Sequence, residues 1–131
     1  SSIEEEKNLM RESGENYLKT ILILKERNGS VRSIDVANEM GYSKPSISRA
    51  VKLLIKRGHV IMESNGELVL TKKGYHLASD IYERHEVISE FFVKLLGVNK
   101  DVADRDACRV EHAISEESFE KLKDFVKKNY K

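Results

Sequence analysis

The chain has 131 residues, with 23 Lys and Arg against 22 Asp and Glu and a formal net charge of +1. That length holds one ordinary domain or two small subdomains sharing a core, and 40% hydrophobic with 34% charged content describes a helix-rich folded protein rather than a disordered one. A single cysteine excludes an intrachain disulfide, near-neutrality excludes a generic polyanion binder, and no apolar run approaches the roughly 18 residues of a membrane span.

Residues 1–11 are polar, carry the run Glu4-Glu5-Glu6, and read as a frayed end. The spacing predicts a first helix with Ser13 as N-cap, Asn16 at its third position and an apolar face of Tyr17, Leu18, Ile21, Leu22 and Leu24, stopped by Asn28-Gly29. A second, short helix follows Ser33, with Asp35 in its first turn, Val36, Ala37 and Met40 inward, and Gly41 at its end. Only Gly41 and Tyr42 precede the next start signal, Ser43, and a third helix over residues 44–57 turns Ile47, Ala50, Val51, Leu54 and Ile55 inward. A short glycine-containing turn between two short helices is the helix-turn-helix pattern. Two β-branched runs, residues 60–63 and 67–71, flank Ser64-Asn65-Gly66 and predict a hairpin.

Beyond it the helical period continues over residues 72–96, unbroken after Gly74 and ended by Gly97. A shorter helix is expected over residues 100–114, and Ser115-Glu116-Glu117-Ser118 caps a last helix running through Tyr130. The fold class is therefore mainly α: a winged helix-turn-helix over residues 1–74, then an all-helical domain over residues 75–131. The apolar residues of that second half exceed what one thin layer covers, which predicts a homodimer built on these helices.

The polar face of the third helix carries Ser43, Lys44, Pro45, Ser46, Ser48, Arg49 and Lys52. Hydroxyls and cations at the start of a recognition helix bond phosphates and base edges in the major groove of double-stranded DNA, and proline is tolerated in a first turn whose N–H groups lack partners. Residues 30–74 hold eight Lys and Arg against four Asp and Glu, so positive charge concentrates where the reader is expected. Arg32 and Lys72-Lys73 suit phosphate contacts better than base reading. The competing interpretation is a solvated face on an ordinary helix, or a winged helix that binds only protein.

Cys108, Glu111 and His112 stand at i, i+3 and i+4, and on a helix that spacing puts a thiol, a carboxylate and an imidazole on one face. His85, on the long helix, is available to complete a metal shell. An inert buried cysteine with structural histidines is the plain alternative. A redox-sensing thiol beside Arg105 and Arg109 is another, in a winged-helix regulator that senses oxidation or a small organic ligand without metal. His59 and His76 lack such company and read as surface or structural. A metal-dependent or Cys/His hydrolase would need a third group to orient the pair, and none is identifiable, so the chain does not read as an enzyme.

The segments Glu15-Asn16-Tyr17-Leu18, Ser43 to Ala50, Leu70-Thr71-Lys72-Lys73-Gly74, Arg84-His85 and Cys108-Arg109-Val110-Glu111-His112 resemble the diphtheria-toxin-repressor family of iron- or manganese-dependent repressors, in unbroken order from about residue 12. The resemblance implies operator binding as a dimer, a primary metal site of Cys108, Glu111 and His112, a further ligand from the first helix at Asn16, and an ancillary site that includes His85. Three positions depart from the family pattern: Lys19 where manganese regulators place glutamate, Ser89 where many members place a carboxylate, and Asp104 where iron repressors have histidine. They speak against a two-manganese cluster. The SH3-like domain of the longer iron repressors has no counterpart in these residues.

A thiolate donor favours iron(II) first and manganese(II) second once cellular availability is weighed. Metal joining the reader to the dimerisation half would select the dimer whose recognition helices lie ~34 Å apart, one DNA turn, and silence metal-uptake genes in the cytoplasm.

Overall fold

The computed structural model describes residues 2–129, the side chains of Asn8 and Leu9 excepted. Among the described residues six helices and one two-stranded sheet follow in order: α1 (Ser2–Asn28), α2 (Ser33–Met40), α3 (Lys44–Lys56), β1 (Val60–Met62), β2 (Leu68–Leu70), α4 (Lys72–Glu90), a π-helical turn (Phe91–Leu95), α5 (Lys100–Val110) and α6 (Glu116–Asn129). The chain divides into two compact units, Ser1–Ser79 and Asp80–Lys131. No helix among the described residues is long and apolar enough to cross a membrane.

In the first unit, α1 begins about ten residues before the expected cap at Ser13. Nothing between residues 2 and 13 breaks a helix, and Glu4 and Glu5 in the first turn complement its dipole. Gly14 is simply carried inside. Leu18, Ile21, Leu22 and Leu24 are buried, joined by Val36 and Ala37 of α2 and by Ile47, Val51 and Leu54 of α3. Ile55, expected inward, is 40% exposed, because it lies about 80° around the helix from Ile47, at the margin of the apolar face.

The turns are held as their residues suggest. Asp35 accepts a hydrogen bond from the Arg32 N–H at 2.9 Å, so the N-cap of α2 is Arg32 and Ser33 is already helical. Gly41 takes the left-handed conformation that ends α2 (φ 69°). Ser43 caps α3 by accepting from the Ser46 N–H at 3.3 Å.

The hairpin pairs Val60 with Leu70 and Met62 with Leu68. Its second strand ends before Thr71, which caps α4 instead: its hydroxyl accepts from the Gly74 N–H at 3.1 Å and donates to Gly58 O at 2.6 Å. A Cβ at Gly74 would stand 2.0 Å from His59 O, so only glycine lets α4 start against the hairpin.

In the second unit, the helix expected to run unbroken to residue 96 widens at its end: Leu96 N–H reaches Phe91 O at 3.3 Å and Val98 N–H reaches Phe92 O at 2.9 Å. These bonds span five and six residues instead of four and let Gly97 (φ 73°) turn the chain. The helix expected over residues 100–114 stops at Val110. Ala113 and Ile114 N–H groups both go to Val110 O at 3.0 Å, closing a turn in place of another helical turn. Ser115 caps α6 by accepting from the Ser118 N–H at 3.1 Å, and Tyr130 lies outside the described residues. Ile81, Ile88, Ala103, Ala107, Phe119 and Val126 are buried.

Candidate metal centre and nucleic-acid interface

His85 of α4, Cys108 of α5 and Glu111 at the exit of α5 bring one ligand atom each to within 4.8 Å of one another. His85 Nδ1 lies 2.8 Å from Glu111 Oε1 and 3.7 Å from Cys108 Sγ. The other oxygen of Glu111 lies 3.3 Å from His112 Nε2. Glu111 has no exposed surface and the His112 side chain is 2% exposed, so this carboxylate is buried between two imidazoles, the arrangement a buried acid requires. Cys108 is an exposed residue.

Cys108 and Glu111, read at helical spacing, are joined by His85 from α4, and His112, past the helix end, stands against the other oxygen of the same carboxylate.

The donors fit a transition-metal ion. Nitrogen, oxygen and sulfur around a tetrahedral ion, at about 2.0–2.3 Å from it, stand roughly 3.5 Å apart, close to the separations present here.

His85 has a second side. Its Nε2 lies 3.9 Å from Asp104 Oδ1, an oxygen that accepts from the Ser89 hydroxyl at 2.7 Å, while Lys100 Nζ lies 3.4 Å from Asp104 Oδ2. The Ser89 hydrogen bond holds the Asp104 carboxyl below its ordinary pKa, against a smaller upward push from burial. Two of the positions that depart from the family pattern are therefore bonded to each other.

In the first unit, Asn16 is half-buried on α1, and its main-chain carbonyl accepts from Thr20 Oγ1 at 2.8 Å. Lys19, one turn on, is buried. Ser43, Lys44, Pro45, Ser48, Arg49 and Lys52 are exposed on α3 and Ser46 is half-buried. Ser46 Oγ receives hydrogen bonds from Ser43 Oγ at 2.9 Å and from Arg49 Nη2 at 3.5 Å.

Lys44 and Ser48 also line a cleft with Ser33, Ile34 and Ile47. Sequence reasoning missed Ser33 and Ile34, since only the packing of α2 on α3 brings them there. Arg32 is exposed, and its backbone bridges to Glu67 on the hairpin. Lys72 is exposed, whereas Lys73 Nζ donates to the Arg57 carbonyl at 3.2 Å. His59 is half-buried with Nδ1 lacking a hydrogen-bond partner, while His76 is exposed.

Residues 9–68 match the family model of the iron dependent repressor N-terminal DNA binding domain, and residues 71–130 match that of the iron dependent repressor metal binding and dimerisation domain. The chain is similar to an HTH-type transcriptional regulator of Methanocaldococcus jannaschii, 34% identical over 91% of this chain and 96% of the relative. It is 33% identical to the transcriptional regulator MntR of Escherichia coli O157:H7, over 91% of this chain and 76% of that one. Among solved structures it resembles the manganese regulator SloR, with TM-score 0.78 and 33% identity over 87% of this chain and 53% of that one. The metal-dependent transcriptional regulator MtsR gives TM-score 0.81 and 28% identity over the same shares. This chain thus spans about half the length of those two solved relatives.

Proposed function

The chain belongs to the iron-dependent-repressor family of metal-dependent, DNA-binding transcriptional repressors, which are not enzymes, and we propose that it is a cytoplasmic homodimer that binds operator DNA when iron(II), or second manganese(II), fills the His85–Cys108–Glu111 site. The observation that carries the reading is the meeting of those three donors, from two helices, around a fully buried carboxylate. A bound ion supplies positive charge and a fixed coordination geometry. Glu111, with no water to share, holds the two imidazoles in place; Cys108 adds the soft donor that favours iron(II) over manganese(II). His112 completes the set through Glu111, and we assign Asn16 as the ligand from α1 on the family resemblance.

Asp104 is already committed to Ser89 and Lys100, which supports one ion per subunit rather than a cluster. Residues 1–74 serve DNA binding, with Lys44, Arg49 and Lys52 on the duplex alongside the hydroxyls of Ser43, Ser46 and Ser48, Pro45 opening the recognition helix and Arg32 on a phosphate. Residues 75–131 serve metal binding and dimerisation. The genes silenced are those of metal uptake. Metal need favour the DNA-competent dimer by only a few kcal/mol to change its population from minor to dominant.

The test is duplex binding by the full chain, on sequences selected from a random library, titrated anaerobically with iron(II) and with manganese(II) against a chelator control. Metal tightens binding, iron(II) more than manganese(II), and Cys108→Ala removes most of the gain. Binding indifferent to metal and chelator sinks the proposal and turns attention to oxidation of Cys108.

A further inference from the structure

Arg84 and His85 are neighbours on α4, and both end on Glu111, one on its main chain and the other on its side chain. Arg84 Nη1 donates to Glu111 O at 3.3 Å and to Ile114 O at 2.5 Å. The same guanidinium lies 5.3 Å from the centroid of the buried Phe119 ring on α6. Carbonyls at a helix exit have no partner within the helix, and a cation there is favoured by the dipole. The turn after Val110 spends two of its own N–H groups on Val110 O, leaving the Glu111 and Ile114 carbonyls to Arg84.

We propose that Arg84 is a positioning residue for the metal centre. Its guanidinium ties the exit of α5 to α4 and to α6, and so fixes the backbone from which Glu111 and His112 reach their partners. Arginine suits this place because one planar group bonds two carbonyls and lies against a ring, which a lysine ammonium on a flexible stem does not reproduce. The inference rests on the reading of Glu111 and His85 as metal ligands.

Position and charge predict opposite signs. A guanidinium near a cation site repels the cation, so if Arg84 acted by charge alone its removal would tighten metal binding. If it acts by holding the turn, its removal loosens the ligands and weakens binding. Loss of partners that orient metal ligands typically weakens affinity ~10- to 100-fold.

The experiment is anaerobic cobalt(II) titration of the full chain, followed by thiolate-to-cobalt charge-transfer and d–d absorption, with amide hydrogen exchange of residues 111–114 in the metal-free protein. Arg84→Gln is expected to lower cobalt(II) affinity by ~10- to 100-fold and to speed exchange in that turn, with helicity unchanged. Arg84→Lys recovers part of both, and Phe119→Leu, which keeps the core apolar but removes the ring face, gives the smallest loss.

Wild-type affinity and exchange in Arg84→Gln, or tighter binding, overturn the clamp while leaving the metal reading intact. A wild-type chain that binds no cobalt(II) overturns both. Should Arg84→Gln fail to fold, unchanged affinity and exchange in both Arg84→Lys and Phe119→Leu overturn it equally.

Discussion

In the first unit Lys44, Arg49 and Lys52 extend from α3 into solvent, with Arg49 bonded to the neighbouring Ser46 hydroxyl; in the second Glu111 has no exposed surface and both its oxygens already face imidazoles. If these side chains meet DNA as proposed, they adjust to a long and variable partner, add little to the fold, and substituting them costs affinity alone. On the proposed function, a metal ion demands donors already in place, so Glu111 and its partners are also part of what holds their unit together. The two halves should therefore respond to mutation in different ways, and that difference can be measured.

The largest effect is expected at Glu111. Glu111→Ala leaves His85 and His112 facing a space that held their common acceptor, and leaving a buried polar group unsatisfied typically costs about 1–3 kcal/mol. We expect a lower thermal midpoint in the metal-free protein together with loss of cobalt(II) absorption. An unchanged midpoint would mean that Glu111 serves the ion alone, and the contrast between the units would fail.

Arg49→Ala and Lys44→Ala sharpen the contrast from the other side, because both residues are exposed and the thermal midpoint should stay where it is. If Arg49 reads a base, its loss costs about 1–3 kcal/mol on the selected duplex and relaxes preference at one position. If Lys44 contacts a phosphate, its loss weakens all sequences alike and lowers the salt dependence by about one charge. Titrations at several salt concentrations separate the two roles. A midpoint that falls with either substitution would show that the reading face is part of the fold.

The same contrast explains what was legible beforehand. Helices α2 and α3 and the hairpin announce themselves through local signals: Asp35, Gly41, Ser43 and Asn65-Gly66 act on their own backbone within a few residues. Cys108 and Glu111 were legible as ligand types at helical spacing and His85 as a donor available to them, but the distances at which they meet were not, since these depend on α4 packing against α5 and not on spacing within one helix. The end of α5 at Val110 was hidden for a related reason. No breaker follows it, and the carbonyls left over are taken by Arg84, 27 and 30 residues away in the chain. The early start of α1 was misread because a polar, acidic run looks like a frayed end, although acidic residues there favour a helix.

The smallest effect concerns His59, between α3 and β1. Burial lowers its pKa first, and the nearby charges of Lys73 and Arg57 lower it further. Its Nδ1 has no hydrogen-bond partner that would favour the protonated ring. The folded chain therefore resists protonation that the unfolded chain accepts near the ordinary imidazole value of about 6.5. Where the unfolded state binds more protons, stability falls as pH falls. The contribution of His59 is thus complete above the unfolded value and is lost as pH drops from there towards the lower folded value, below which it levels off. His59→Gln should flatten that part of a stability–pH curve measured by urea unfolding while leaving metal affinity alone. An identical slope in the variant would assign the acid sensitivity elsewhere.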